Sequence, residues 1–290
     1  MNGSMRFYEY RPGPRLSEVV EKLWSLSDSP SHAREQIVPS GTVELVINLH
    51  DDEFRIYDPS VAGDGCRRFR GAIVSGCYSG PFGIDTREHA AVIGVHFHPG
   101  GAGLLGVPAS QIADAHVDLE DLWGRGATEL RERLCASRDR RQRFRILEEV
   151  LSARLERVGD GRRAVKAAVG KLDQRRIEVG EVGRQLGLSR RRFIEIFTEE
   201  VGMTPKRYAR VRRFQRALSR AMDRRTPHWA ELALECGYFD QAHLCRDWIE
   251  FTGLSPTAFV ALRGIQVKQN HVALPEVGVK SVQYNSAVRT

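Results

Sequence analysis

Histidines, carboxylates and thiols are the residues of this chain whose types could support chemistry. His96 and His98 stand as an H-x-H pair in a β-prone run. Residues two apart on a strand share a face, so both could reach one metal ion. A ligand set also needs a third and often a fourth group, and no spacing motivates His50, His89 or His116 for that role. The pair is therefore read as a polar surface or pocket rim, and no metal ligand and no cofactor is assigned. Glu44, within Val43–Ile47, is a lone strand carboxylate and reads as a salt-bridge partner rather than a catalytic acid. Cys66, Cys77, Cys135, Cys236 and Cys245 are odd in number and show no C-x-x-C spacing. That pattern fits buried free thiols in a reduced compartment better than a disulfide framework or a zinc site. Nucleophile motifs, phosphate-cradling glycine loops and H-E-x-x-H are missing from the sequence. Gly63-Asp64-Gly65 and Gly100–Gly103 read as turns, so no catalytic residue is assigned and the chain is expected not to be an enzyme. What remains is cationic: Lys206, Arg207, Arg210, Arg212, Arg213, Arg216 and Arg220 dominate the segment from Pro205 to Met222. Their natural counterpart is a polyanion.

Charge is partitioned along the 290 residues. Net charge is −7 over residues 1–130, +3 over 131–160, +9 over 161–263 and +2 over 264–290. An acidic front and a basic back point to two jobs, and the length fits two domains. Composition is near the globular average, with 28% charged and 41% hydrophobic residues, which excludes disordered and collagenous classes. No apolar run approaches the ~20 residues of a membrane span, and Met1–Tyr10 lacks the pattern of a secretory signal. A soluble, cytoplasmic protein with no membrane partner is expected.

The elements that must position these residues change in texture along the chain. Arg15–Leu26 reads as a short helix, with Leu16, Val19, Val20, Leu23 and Trp24 on one side. Short β-prone runs follow: Ile37–Pro39, Val43–Leu49, Phe54–Tyr57, Ala72–Cys77 and Ala91–Phe97. Gly, Pro, Asp and Ser separate them, as in a small antiparallel sandwich or barrel. Short helices are predicted over Pro108–Ala113, Leu119–Trp123 and Thr128–Ala136, and a longer one over Arg141–Arg157. Val158–Gly161 is the candidate linker. Beyond it the pattern is helical, beginning with Ala164–Leu172, until an aperiodic tail from Gly264.

The basic part contains an internal repeat. Glu181 and Gly187 match Glu231 and Gly237 at an offset of 50. Ser189, Phe193, Phe197, Gly202, Pro205 and Tyr208 match Asp240, Leu244, Trp248, Gly253, Pro256 and Phe259 at an offset of 51. In each copy a glycine ends a short helix through a positive φ. Ser189 or Asp240 caps the next helix, whose apolar residues four apart face inward. A second glycine stops that helix, and a capped proline starts another. The result is helix, short turn, helix, twice.

At these residues the chain resembles the AraC/XylS-type transcription regulators. The resemblance covers about Arg162–Arg263 and is strongest along Leu232-Ala233-Leu234-Glu235-Cys236-Gly237-Tyr238-Phe239-Asp240-Gln241-Ala242-His243 and Gly253–Phe259. It implies two helix-turn-helix units joined by a long helix, with both second helices in successive major grooves of double-stranded promoter DNA, about 34 Å apart. Carried over residue by residue, the first reading helix offers Arg190, Arg191, Arg192, Ile194 and Glu195. The second offers Gln241, Ala242, His243, Cys245 and Arg246. Arginine pairs in bidentate fashion with guanine and glutamine with adenine. Arg246 fits a position used for phosphate, and Arg192 and His243 lie toward the backbone, where contacts set register rather than sequence choice. Two departures stand out. Glu195 replaces a frequent arginine and would repel phosphate while accepting from cytosine N4. Ile194 and Cys245 replace polar groups.

The front half resembles the N-terminal region of a poorly characterised AraC-like subgroup, along Val38–Asn48, Gly94–Ala102 and Leu119–Gly124. That implies a cupin-like domain that binds a small effector or self-associates. The expected fold class is α+β: a cupin-like antiparallel β domain with flanking helices over 1–158, an all-α double helix-turn-helix domain over 162–263, and an irregular tail over 264–290. The implied partners are operator DNA, a small-molecule effector, RNA polymerase and a second copy of the chain in a homodimer. The alternative is a metal-dependent cupin-type enzyme fused to a DNA-binding module.

Overall fold

The computed structural model describes residues 6–27, 34–57, 65–86, 90–155, 162–172, 179–224, 227–262 and 270–273. The candidate linker at 158–161, His89 and most of the tail lie outside the described residues. The fold is α+β, with two antiparallel sheets in front and helices behind.

One sheet has six strands in the order β1 (Arg6–Tyr10), β2 (Val20–Ser27), β9 (Ala91–Phe97), β4 (Glu44–Asn48), β7 (Ala72–Ser75) and β10 (His116–Asp118). The other runs β11 (His271–Ala273), β3 (Arg34–Ile37), β8 (Phe82–Asp85), β5 (Glu53–Tyr57) and β6 (Cys66–Arg70). Every pairing described is antiparallel.

The six-stranded sheet is buried on both faces. Trp24, Ile73 and Val92 point to the other sheet and pack with Phe54, Ile56, Phe82 and Ile84. Their chain neighbours Leu23, Val74 and Ile93 point the opposite way, into the larger core shared with the helices. Two-sided burial produces consecutive apolar residues instead of period-2 alternation. This explains a correction: the segment expected as a helix over Arg15–Leu26 is a 3-10 turn at Leu16–Glu18 followed by strand β2. The apolar spacing of Leu16, Val19, Val20 and Leu23 imitates a helical stripe. Pro108–Ala113 is likewise a 3-10 turn over Ala109–Ile112.

Helices α1 (Leu119–Trp123), α2 (Arg125–Ala136) and α3 (Arg140–Ser152) back the six-stranded sheet. Asp139 caps α3 by accepting from the backbone N–H groups of Arg141 (3.3 Å) and Gln142 (3.1 Å). The basic part then supplies α4 (Arg162–Leu172), α5 (Val179–Gln185), α6 (Arg190–Val201), α7 (Pro205–Asp223), α8 (Trp229–Glu235), α9 (Gln241–Thr252) and α10 (Pro256–Ala261). The tail, expected to be irregular, returns to the front half and adds β11 to the edge of β3. A three-residue strand is too short to show a period, and its partner lies more than 200 residues away in sequence.

Front and back share one apolar core. Gly202 fits where a Cβ would come within 3.0 Å of the Ala109 carbonyl oxygen. Gln36 Nε2 donates to the Thr252 carbonyl oxygen at 3.0 Å, and Gln215 Nε2 donates to that of Pro39.

Candidate nucleic-acid interface

The sequence repeat is reproduced hydrogen bond by hydrogen bond. Gly187 and Gly237 have φ of +69° and +85°. The N–H of the residue after each, Leu188 or Tyr238, donates to the carbonyl five residues back, Gly183 (3.0 Å) or Ala233 (2.9 Å). That pattern closes a helix end through a left-handed residue. Ser189 Oγ then accepts from Arg192 N at 3.2 Å and opens α6, while Asp240 Oδ1 accepts from His243 N at 2.7 Å and opens α9. Gly202 and Gly253 end those helices at φ of +87° and +71°. Thr204 and Ser255 cap the next helices, with Pro205 and Pro256 at their starts. Small residues at equivalent places let the paired helices approach. A Cβ on Gly183 would meet the Phe193 Cβ at 3.3 Å and its ring at 3.4 Å, and its counterpart Ala233 is fully buried.

The two second helices present their early residues to solvent. On α6, Arg190, Arg191, Arg192 and Glu195 are exposed and Ile194 is half-buried. Arg191 Nε donates to Glu195 Oε1 at 2.8 Å, and Arg192 Nη1 lies 3.7 Å from Glu195 Oε2. The bond from Arg191 holds the Glu195 carboxyl below its ordinary value. Glu195 thus neutralises part of the cationic surface from within the helix. The contact of α6 with the front half is at its far end, around Gly202, and leaves the arginines open.

On α9, Gln241, Ala242 and Arg246 are exposed, while His243 and Cys245 are half-buried. His243 Nε2 sits 3.2 Å from Arg213 Nη2, and its ring packs edge-on against Tyr238, 5.1 Å between centroids. Burial, and then the Arg213 charge, push the imidazole below its ordinary value, so it is neutral near pH 7. Burial pushes the Cys245 thiol up, and this residue packs against the core. Phe239, in the turn just before α9, is 85% exposed. It was not singled out from the sequence, where an apolar residue beside Tyr238 reads as core.

The arginines of α7 have a different role from the one their density suggests. Arg210 Nη2 donates to Asp247 Oδ1 at 2.6 Å and also pairs with Glu250. Arg213 Nη2 donates to Asp247 Oδ2 at 3.2 Å and lies 4.6 Å from the centre of the Tyr238 ring. Arg207 bonds Glu250 and the Ser79 carbonyl oxygen, and Arg220 donates to the Glu235 carbonyl oxygen at 3.1 Å. These side chains clamp α7 to α8 and α9. The acidic partners stand 15–43 residues further on, so the helix looks like a free polycation only when read alone.

His96 and Glu44 are brought together in the front half. His96 Nδ1 donates to Glu44 Oε1 at 2.6 Å, and Nε2 lies 3.1 Å from Thr42 Oγ1. His98 falls beyond the end of β9, and burial pushes its imidazole below the ordinary value. Among the described residues, no group of three or more His, Cys, Asp or Glu is placed to hold a metal ion. No helix among the described residues is long and apolar enough to cross a membrane.

Two capped, glycine-broken helix pairs bridged by one long helix define a double helix-turn-helix DNA-binding unit, joined here to an antiparallel double sheet. Residues 182–261 match the family described as a helix-turn-helix domain, and residues 8–118 match a domain of unknown function, DUF6597. The back part of the chain therefore carries a helix-turn-helix domain. No curated protein matches the chain. Similar solved structures include a probable AraC family transcriptional regulator from Rhodopseudomonas palustris CGA009, at 25% identity, covering 34% of this chain and 95% of that one with a TM-score of 0.31. A transcriptional regulator with an AraC-type DNA-binding domain from Chromobacterium violaceum is 19% identical over 35% of this chain and 96% of its own, with a TM-score of 0.32. The unsaturated-fatty-acid-bound ToxT of Vibrio cholerae is 10% identical over 89% and 95%, with a TM-score of 0.43.

Proposed function

We propose that the chain is a sequence-specific regulator whose front domain, residues 1–158, responds to a small molecule and whose back domain, 162–263, reads an operator. The observation that carries this reading is the twin construction of α6 and α9, each opened by a side-chain cap that leaves its first turns exposed. Arg190, Arg191 and Arg192 contact base edges and phosphates from the first unit. Gln241, Ala242 and Arg246 do so from the second. Ile194, Glu195, His243 and Cys245 shape the two surfaces: Glu195 by orienting Arg191, and His243 by its contact with Arg213. A second copy of the chain would supply further half-sites, and RNA polymerase is the downstream partner. The enzyme alternative draws little support from His96, which is committed to Glu44 and Thr42.

The test is a titration of the purified chain with its own upstream DNA and with scrambled DNA at fixed salt near 150 mM. A sequence-reading regulator prefers its site by at least ~10³. Arg191→Ala and Gln241→Ala then relax base preference without loss of folding. A ratio near one for upstream DNA, and for every fragment in a genome-wide selection, refutes sequence-specific reading.

A further inference from the structure

The second unit holds one residue that the first lacks. Leu188 and Tyr238 make equivalent bonds, each N–H donating to a carbonyl five residues back, that of Gly183 or Ala233. In the first unit the cap Ser189 follows at once, whereas in the second Phe239 stands between Tyr238 and the cap Asp240. Phe239 is therefore the insertion behind the change of offset from 50 to 51. The first turn closes without such a residue, so the turn itself does not require one. The core does not use its side chain either: Phe239 is 85% exposed, more than Leu234, Ile249 or Tyr10, the other large exposed hydrophobics among the described residues.

Its neighbours set where it stands. Tyr238 is buried, with its ring 5.1 Å from that of His243 and 4.6 Å from the Arg213 guanidinium. Phe239 instead meets solvent at the entrance to α9, just before Gln241 and Ala242, which are exposed in its first turn. The first unit has no apolar counterpart there. Leu188, the residue before its cap, is half-buried against the core, and Arg190, Arg191 and Arg192 follow the cap.

A reading helix meets base edges with its N-terminal residues. A phenyl ring at that place has no donor for a phosphate and no hydrogen-bonding group for the polar atoms of a base. The apolar feature of a major-groove edge is the thymine C5 methyl, which also marks the strand that carries the thymine. Gln241, two residues on, is the type that pairs with adenine in bidentate fashion, and Ala242 adds a second small apolar surface. Phe239, Gln241 and Ala242 together suit adenine and thymine, where the arginines of the first unit suit guanine.

We propose that Phe239 is a specificity-determining residue of the second unit and that it reads thymine by packing on the C5 methyl in the major groove. The inference rests on the sequence-reading role proposed above and adds to it the base and the atom.

The probe is the duplex that the wild-type chain selects from random DNA, with each thymine replaced in turn by deoxyuridine, at fixed salt near 150 mM. Deoxyuridine removes the methyl and keeps every donor and acceptor. One replacement, in the half-site that depends on Gln241, should weaken wild-type binding about fourfold, the worth of burying one methyl-sized group. Phe239→Ala should weaken binding to the unmodified duplex by at least that factor, and should then bind modified and unmodified duplexes equally, with far-ultraviolet circular dichroism unchanged. Phe239→Leu, still apolar, should keep part of the methyl preference, and Arg191→Ala should keep all of it. A Phe239→Ala variant that binds as tightly as the wild type would show that the ring meets no DNA, and a change confined to self-association would give it to a contact between copies. A variant that binds weakly yet still loses fourfold on the same deoxyuridine would assign the methyl to another residue. Each of these results overturns the proposal. Failure of the wild type to select any duplex would refute sequence reading and this inference with it. A selected duplex that still depends on Gln241 but is indifferent to every deoxyuridine would refute this inference alone.

Discussion

Asp247→Ala offers the sharpest energetic test of how the second unit is held. The Asp247 side chain is only 3% exposed and accepts from Arg210 at 2.6 Å and Arg213 at 3.2 Å. Removing one partner of a buried pair costs about 3–5 kcal/mol, because the remaining charge stays unpaired. Two features lower that figure. The arginine side chains are 29% and 21% exposed, and Arg210 keeps Glu250. A loss of about 2–3 kcal/mol follows for the alanine variant, and about 1–2 kcal/mol for Asp247→Asn, which keeps the shape and one acceptor. The assay is urea unfolding followed by circular dichroism, with Arg191→Ala as the control. Arg191 is 92% exposed, so its removal should shift stability by no more than about 0.5 kcal/mol. Affinity for upstream DNA should fall in both variants for different reasons. Arg191→Ala deletes a contact, whereas Asp247→Ala frees Arg213, which holds His243 and Tyr238 at the root of α9. An alanine variant within about 0.5 kcal/mol of the wild type would show that the clamp is not what fixes α9 on α7.

Other consequences are open to direct measurement. Arg246→Ala should flatten the slope of log binding constant against log salt by about 0.9, one phosphate contact's share, which a salt titration reads. Gly202→Ala should cost more stability than Gly237→Ala. Both need a left-handed backbone, at about 1–2 kcal/mol each, but only the former also meets a carbonyl oxygen at 3.0 Å, and urea midpoints would rank them. Burial raises the Glu250 carboxyl, but bonds from Arg210 and Arg207 outweigh it and hold the group below its ordinary value. A depressed carboxylate stabilises the fold above its unfolded pKa, and that contribution is lost as pH falls through the folded value. The stability difference between wild type and Glu250→Gln should therefore be largest near pH 7 and close below about pH 4. A difference that grows on acidification would contradict the pairing.

The helix-turn-helix units were legible because caps, glycines and prolines act within a few residues of where they stand. Ser189, Asp240, Gly187 and Gly237 do in the structure what their types and spacing predict. The strands were harder. Runs such as Ala91–Phe97 show their β character, but β2 is buried on both faces and imitates a helix, and β6 reads Cys-Arg-Arg-Phe-Arg, an edge strand with little apolar pattern. What depends on distant partners could not be read at all. Arg210 and Arg213 look like a polyanion surface until Asp247 is placed beside them, and β11 has no meaning without β3.

The most direct test of the central claim is selection of bound fragments from random DNA by the wild type, Arg191→Ala and Gln241→Ala. The paired geometry of α6 and α9 predicts two half-sites with centres about 10–10.5 base pairs apart. Arg191→Ala should erase information from one half-site and Gln241→Ala from the other. A single half-site, variable spacing, or loss of both half-sites in either variant would contradict two independent reading helices on one face of the DNA.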